Sequence, residues 1–186
     1  MPFGSARQQQ QQQVCIANFQ YSRRMHYVAL AQVLTLLALA NGSPVIAKRI
    51  FGANYAAPVD GNVRFIDGRP LVGPSKTIRG IVVSLVVTAL GAILLGLHFW
   101  IGLLVAGTSM AGDLFSSFLK RRLRLGPSSK ATGLDQLPES LFPLLACQPL
   151  LSLTAIDIAV GCAIFFAGQV LLSRLFFWLR LRDRPY

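Results

Sequence analysis

The sequence predicts an all-α integral membrane protein with five transmembrane helices and two cytoplasmic loops. Of its 186 residues, 53% are hydrophobic and only 13% are charged, against about 25% charged in a typical soluble domain. Five apolar stretches are long enough, or nearly so, to cross about 30 Å of hydrocarbon; they lie near 27–47, 80–97, 100–119, 137–153 and 156–179. The formal net charge of +11 is also laid out unevenly. Lys48, Arg49, Arg64, Arg69, Lys76 and Arg79 lie between the first two spans. Lys120, Arg121, Arg122, Arg124 and Lys130 follow the third, and Arg174, Arg180, Arg182 and Arg184 lie at the C-terminal end. The connections after spans two and four carry no Lys or Arg. Cations collect on the cytoplasmic side of membrane proteins, so both long loops and the C-terminus face the cytoplasm and the N-terminus lies outside. Arg7, Arg23 and Arg24 oppose this order but are outnumbered.

The chain divides into a Gln-rich N-terminal segment at 1–25, expected to be disordered, a five-helix membrane domain at 26–182 and a short tail at 183–186. Gln8 to Gln13 form a low-complexity run. The first apolar stretch begins too late, and lacks the small-residue cleavage site, for a signal peptide. Cys15, Cys147 and Cys162 show no CxxC spacing, which indicates neither a zinc site nor a disulfide framework. Nucleic acid is not an expected partner, because the cations sit on one side of a bilayer, interleaved with Gly, Pro and Asp.

Span one contains Asn41-Gly42-Ser43-Pro44, a helix breaker that frees backbone carbonyls at membrane depth or simply kinks the helix. The loop that follows carries turns at Pro58-Val59-Asp60-Gly61-Asn62 and Asp67-Gly68-Arg69. It ends in Gly73-Pro74-Ser75-Lys76-Thr77-Ile78-Arg79-Gly80, leading straight into span two. Lys76, Thr77 and Arg79 therefore stand at a helix N-terminus, where free N–H groups and the helix dipole favour anions. Topological charge alone would also account for the two cations. The stretch is not a P-loop, since the interval from Gly68 to Lys76-Thr77 is two residues too long and no buried strand precedes it.

In span three, Ser109, Asp113, Ser116 and Lys120 fall on one helical stripe. A carboxylate inside a membrane span costs at least ~2.5 kcal/mol and is a functional-site hypothesis by default; the alternatives are snorkelling or pairing with Lys120. At the start of span four, Asp135 and Glu139 share a face, although Asp135 would also serve as an N-cap. Acids, cations and glycines on one side of a bilayer suit a metal–polyphosphate site, because Mg²⁺ takes a few carboxylates and completes its shell with substrate phosphates.

These motifs, in this order and at this spacing over about 41–144, resemble the CDP-archaeol synthases, membrane cytidylyltransferases similar to the phosphatidate cytidylyltransferases. The chain departs from the family pattern at Ile78 (usually Trp), Asn62 (a second Gly) and Pro138 (an acid, with Glu139 one position later). The resemblance implies CTP as substrate, Mg²⁺ (or Mn²⁺) as cofactor and a membrane lipid phosphate as acceptor. It implies Asp113, Lys120, Arg121, Lys76 and Arg79 as catalytic groups. Asn41, Asp67, Gly68, Arg69, Gly73, Ser75, Thr77, Ser116 and Gln136 would line the substrate site, and Asp113, Asp135 and Glu139 would hold metal. A homodimer is left open. A small membrane transporter would want polar groups at mid-membrane, and spans two and five offer little beyond Ser84, Thr88 and Gln169. A non-catalytic scaffold would not need acids clustered with phosphate-type turns.

Overall fold

The computed structural model describes residues 3–52, 54–125 and 133–178, with side chains from 26 to 171 within those ranges. Five α-helices appear there and no strand: α1 (Phe3–Phe51), α2 (Ile78–Leu94), α3 (Phe99–Arg122), α4 (Gln136–Leu151) and α5 (Ala155–Trp178). Each contains one of the expected apolar stretches, shifted by a few residues at its ends. Two stretches, His26–Phe51 and Phe99–Arg122, are long and apolar enough to cross a membrane; Ile78–Leu94 and Ala155–Leu171 are apolar but shorter. The Gln-rich segment differs from its expected disorder, because α1 is one helix of 49 residues that begins at Phe3 and runs through Gln8 to Gln13. Gln is a good helix former, and a polar run propagates readily from a helix already nucleated by the apolar part. Ser128, Ser129, Lys130, Arg180, Arg182, Arg184 and the tail at 183–186 lie outside the described residues.

Small residues set how closely the helices approach. Gly80, Ser84, Thr88, Gly91 and Ala92 form the buried face of α2. A Cβ at Gly102 of α3 would sit 2.5 Å from the Thr88 carbonyl oxygen of α2. A Cβ at Gly161 of α5 would come within 3.0 Å of both Leu30 and Leu144. Such residues are the usual means of close packing in a membrane, where lipid tails are as apolar as leucine and van der Waals fit must drive association. The apolar core joins all five helices through Leu30, Val33, Leu36 and Leu37 of α1, Ala92, Val105, Leu144, Ile158 and Phe165.

The helix breaker does not break α1, which continues through Pro44. Proline has no N–H to donate to the carbonyl four residues earlier, which here is Ala40. The buried Ser84 hydroxyl on α2 donates to that carbonyl at 2.8 Å. The freed acceptor is thus satisfied by a neighbouring helix, as membrane-buried backbone requires.

The short connections lie at one end of the bundle. Gly96, with φ +73°, closes the α2–α3 turn, whose Leu95 carbonyl accepts from Gln32 Nε2 of α1. Between α4 and α5, Thr154 and Asp157 form a reciprocal cap: the Thr154 amide donates to Asp157 Oδ2, and the Asp157 amide to Thr154 Oγ1. The two long connections leave from the other end, where the first is fastened to the last turn of α3 and the described end of the second pairs with Lys120.

Candidate active site

The loop from α1 to α2 is held by its own acids and by the end of α3. Asp60 accepts backbone N–H bonds from Asn62, Val72 and Gly73 (3.1, 3.1 and 2.8 Å), pinning the two sides of the loop together. The Gly73 amide, outweighing partial burial and aided by the Val72 and Asn62 amides, holds the Asp60 carboxyl below its usual value. A depressed carboxylate stabilises the fold above its unfolded pKa, and this contribution is lost as pH falls through the lower folded value. Between these anchors lies a miniature hairpin, with Phe65 N donating to Arg69 O and Gly68 N to Phe65 O, both at 2.8 Å. Gly68 takes the left-handed φ of +74° that the turn requires.

The cations at the end of α3 fasten this loop. Arg121 donates from Nε to the Val72 carbonyl (3.2 Å) and from Nη1 to the Leu125 carbonyl (2.8 Å). Its guanidinium lies so close to Gly73 that a Cβ there would be 3.2 Å from Nε. Arg122 donates to Asp67 Oδ1 (2.6 Å) and the Pro70 carbonyl (2.8 Å). Arg69 reaches back to the Arg121 carbonyl at 3.4 Å. The structure therefore places Asp67, Gly68, Arg69, Gly73 and Arg121 in the loop clasp. Asp60 and Arg122 join them; the sequence reads Asp60 as a turn residue among the cytoplasmic-face acids and Arg122 as one of the cations after span three, and neither is a named site residue. An acid followed by Gly-Asn was the legible signal for Asp60.

The clasp presents Lys76 to α3. Its ammonium donates to both carboxylate oxygens of Asp113, so Asp113 pairs across the loop and not with Lys120 on its own helix. Lys120 instead pairs with Asp135, its Nζ 2.8 Å from the carboxylate and only 8% of the residue exposed. Asp135 stands at the N-cap position of α4 but makes no capping bond; the Gly133 amide donates instead to Gln136 Oε1 at 2.8 Å. The capping account of Asp135 is thereby removed, and one buried oxygen, Oδ1, receives no aligned hydrogen bond. One turn deeper than Asp113, Ser109 donates to Asn41 Oδ1 at 3.3 Å, while the buried Asn41 Nδ2 has no partner.

Other candidates fall elsewhere. Ser116 is buried and donates to the Asp113 carbonyl within α3, and Ser75 lies exposed in the turn before α2. Thr77 is the N-cap of α2, its Oγ1 accepting from the Gly80 amide at 3.2 Å, while the Ile78 amide donates to Ala57 O. Two of the amides expected to cradle an anion are thus already used. Glu139 accepts from Gln169 of α5 at 3.1 Å, and no group of three acids able to hold a metal occurs among the described residues. The expected trio of Asp113, Asp135 and Glu139 is therefore not assembled: α4 packs between α3 and α5, and Glu139 bonds to α5.

Arg79 donates to the carbonyls of Gly52 (3.1 Å) and Asn54, at the C-terminal end of α1. Those carbonyls lack helical partners, and a cation there meets the negative end of the helix dipole. Arg79→Ala is expected to destabilise the substrate-free protein by about 1 kcal/mol, read as a lower midpoint of thermal unfolding in detergent. An unchanged midpoint would return Arg79 to the phosphate clamp.

The site thus contains two lysine–carboxylate pairs, Lys76–Asp113 and Lys120–Asp135, drawn from two loops and one helix, α3, with a part-buried Asn41–Ser109 pair one turn deeper. The CarS-like CDP-archaeol synthase family model matches residues 25–186. A CDP-archaeol synthase of Sulfurisphaera tokodaii is 32% identical over 169 residues, spanning 87% of this chain and 98% of that protein. One from Pyrococcus furiosus is 40% identical over 107 residues, 52% of this chain and 60% of that protein. A solved structure of an intramembrane enzyme for archaeal membrane lipid biosynthesis superposes with a TM-score of 0.63 at 26% identity, covering 74% of this chain and 90% of that one. Sequence motifs, site architecture and similarity over most of its length agree that the chain belongs to the CarS-like CDP-archaeol synthase family.

Proposed function

We infer that the chain is a membrane cytidylyltransferase that moves CMP from CTP onto a lipid phosphate, of archaetidic- or phosphatidic-acid type, giving a CDP-lipid and pyrophosphate. The observation that carries the reading is the pairing of Lys76 with Asp113 across 37 positions, beside the Lys120–Asp135 pair. Lysines offer phosphate oxygens a compact charge, and carboxylates offer a hard cation its oxygen ligands. Each group is held against its opposite in the substrate-free protein, and both would be available to a metal–nucleotide.

The residues present fit Mg²⁺. Asp113 and Asp135 would supply two carboxylates, each now held against a lysine, and phosphate oxygens would complete the shell in the manner typical of this ion. When bound, Mg²⁺ supplies charge neutralisation on the nucleotide phosphates. In the reaction a lipid-phosphate oxygen bonds to the α-phosphorus of CTP. The bond from that phosphorus to the α,β-bridging oxygen breaks, and pyrophosphate leaves with the electron pair. The nucleophile is already ionised, so no protein base is needed. The protein works by positioning and by fixed charge: Lys76 and Lys120 orient the triphosphate and the lipid phosphate, and the Arg121–Arg122 clasp holds Lys76 in place.

Purified protein is expected to incorporate label from α-labelled CTP into lipid when offered a panel of lipid phosphates, and to release pyrophosphate in equal amount. Failure with every acceptor would favour the transporter or scaffold reading. Lys76→Gln is expected to insert correctly yet bind CTP weakly or turn over slowly. Full activity in that variant would remove Lys76 from the site.

All five helices cross the cytoplasmic (inner) membrane in this reading, with the site on the cytoplasmic face and the N-terminus outside. With Cys15, Cys147 and Cys162 replaced by alanine, Asn62→Cys and Arg124→Cys are expected to resist a membrane-impermeant thiol reagent in intact cells and to react after lysis. Labelling in intact cells would invert the topology.

A further inference from the structure

The hairpin between Asp60 and Gly73 carries an apolar tip that the clasp does not use. Ile66 is 95% exposed, and Val63, three residues earlier, is 55% exposed. The hairpin does not project straight out from the end of the bundle. The Phe65 ring meets the Phe118 ring edge-on at 5.6 Å, and Phe118 lies four residues before the last residue of α3, about 6 Å back along the helix axis. The guanidinium of Arg122 lies over both rings, 4.7 Å from the Phe65 centroid and 5.0 Å from that of Phe118. The hairpin therefore lies against the side of the last turn of α3, held there by Phe118 and Arg122. Its charge is one-sided. The Asp67 carboxylate is held by Arg122, whereas Arg64 is exposed on the hairpin.

We propose that residues 63–71 form an interfacial wedge, in which Ile66 enters the headgroup–acyl boundary of the bilayer beside α3 and Arg64 meets anionic lipid headgroups. An exposed apolar side chain flanked by cations is what such a boundary takes up, and an anionic leaflet attracts basic residues close to its surface. The wedge belongs to the same loop as Lys76, so it ties the position of that lysine to the lipid surface from which a phosphate acceptor would arrive. The proposal rests on the reading of α3 as a membrane span.

The experiment uses the full chain in lipid vesicles, with Cys15, Cys147 and Cys162 replaced by alanine and one fluorophore carried by Ile66→Cys, Asn62→Cys or Val86→Cys. Val86 is exposed on the outer face of α2 and reports on the membrane placement itself. The expected result is strong quenching of position 86 by deep nitroxide lipids and of position 66 by shallow ones. Position 62 should be quenched by aqueous iodide, from which position 66 is shielded. Adding an anionic phospholipid to neutral vesicles should deepen the shielding at 66, and Arg64→Gln should remove that increment. Iodide quenching at 66 equal to that at 62, with 86 still quenched from within the lipid, overturns the wedge alone. Absence of lipid quenching at 86 overturns the spanning reading and the wedge with it. An unlabelled Ile66→Asp variant gives a second measure: its KM for a bilayer-presented lipid acceptor should rise several-fold with KM for CTP unchanged. No rise overturns the proposal.

Discussion

Asp113→Asn is expected to lower cytidylyl transfer by ~10²-fold or more, the usual cost of losing one preorganised electrostatic group, in a protein that still inserts and folds. Asparagine keeps the shape of the side chain and can still accept from Lys76, so the contact between loop and α3 persists in weakened form. What disappears is the formal negative charge that a divalent cation needs. Turnover at saturating CTP and Mg²⁺ measures the first effect, and binding of Mn²⁺ followed by its paramagnetic signal measures the second. A well-folded variant with near-normal turnover would remove Asp113 from the chemistry and leave it as a structural partner of Lys76.

Gly112→Ala should act on the fold more than on charge. A Cβ there would lie 2.3 Å from the Pro138 carbonyl oxygen, 2.6 Å from its carbon and 2.9 Å from the Glu139 nitrogen. All three atoms belong to the backbone of α4, so no rotamer change relieves the overlap and the helices must part. Overpacking of this kind costs about 1–3 kcal/mol or more, read as a large fall in the unfolding midpoint in detergent. Gly107→Ala is the control on the same helix, because nothing lies within 4 Å of a Cβ at that position and alanine is the better helix former by about 1 kcal/mol. Equal midpoints for the two variants would mean that α3 and α4 are not in contact at Gly112. Since Asp113 adjoins that glycine and Asp135 lies three residues before Pro138, the separation should also reduce activity.

The helices were legible in the sequence because apolar runs of that length leave few alternatives, and the loops because Gly, Pro and Asx turns bound them. The pairings were less so. Asp113 was expected to be functional, but its partner Lys76 lies 37 positions away, and no local pattern encodes a contact at that separation. Cation type was equally silent about role. Arg79 and Arg121 read as phosphate ligands beside Lys76 and Lys120, yet their guanidinium groups reach backbone carbonyls at Gly52, Asn54, Val72 and Leu125. Arginine's several donors suit it to tying loops, and a one-dimensional reading cannot distinguish that use from anion binding. Glu139 was grouped with Asp135 from their helical spacing, but Asp135 precedes the first turn of α4 and pairs with Lys120, while Glu139 bonds to α5.

Pro44 and Ser84 impose a direction on how this protein can change. Loss of the Ser84 hydroxyl alone leaves the Ala40 carbonyl without its donor at a buried position, which is costly. Loss of the proline first restores an N–H at position 44 that can return to the same carbonyl, after which the serine is dispensable. Descendants of this sequence can therefore shed the pair through one intermediate but are selected against through the other, so that Pro44, once acquired, holds Ser84 in place and is the member that must be lost first.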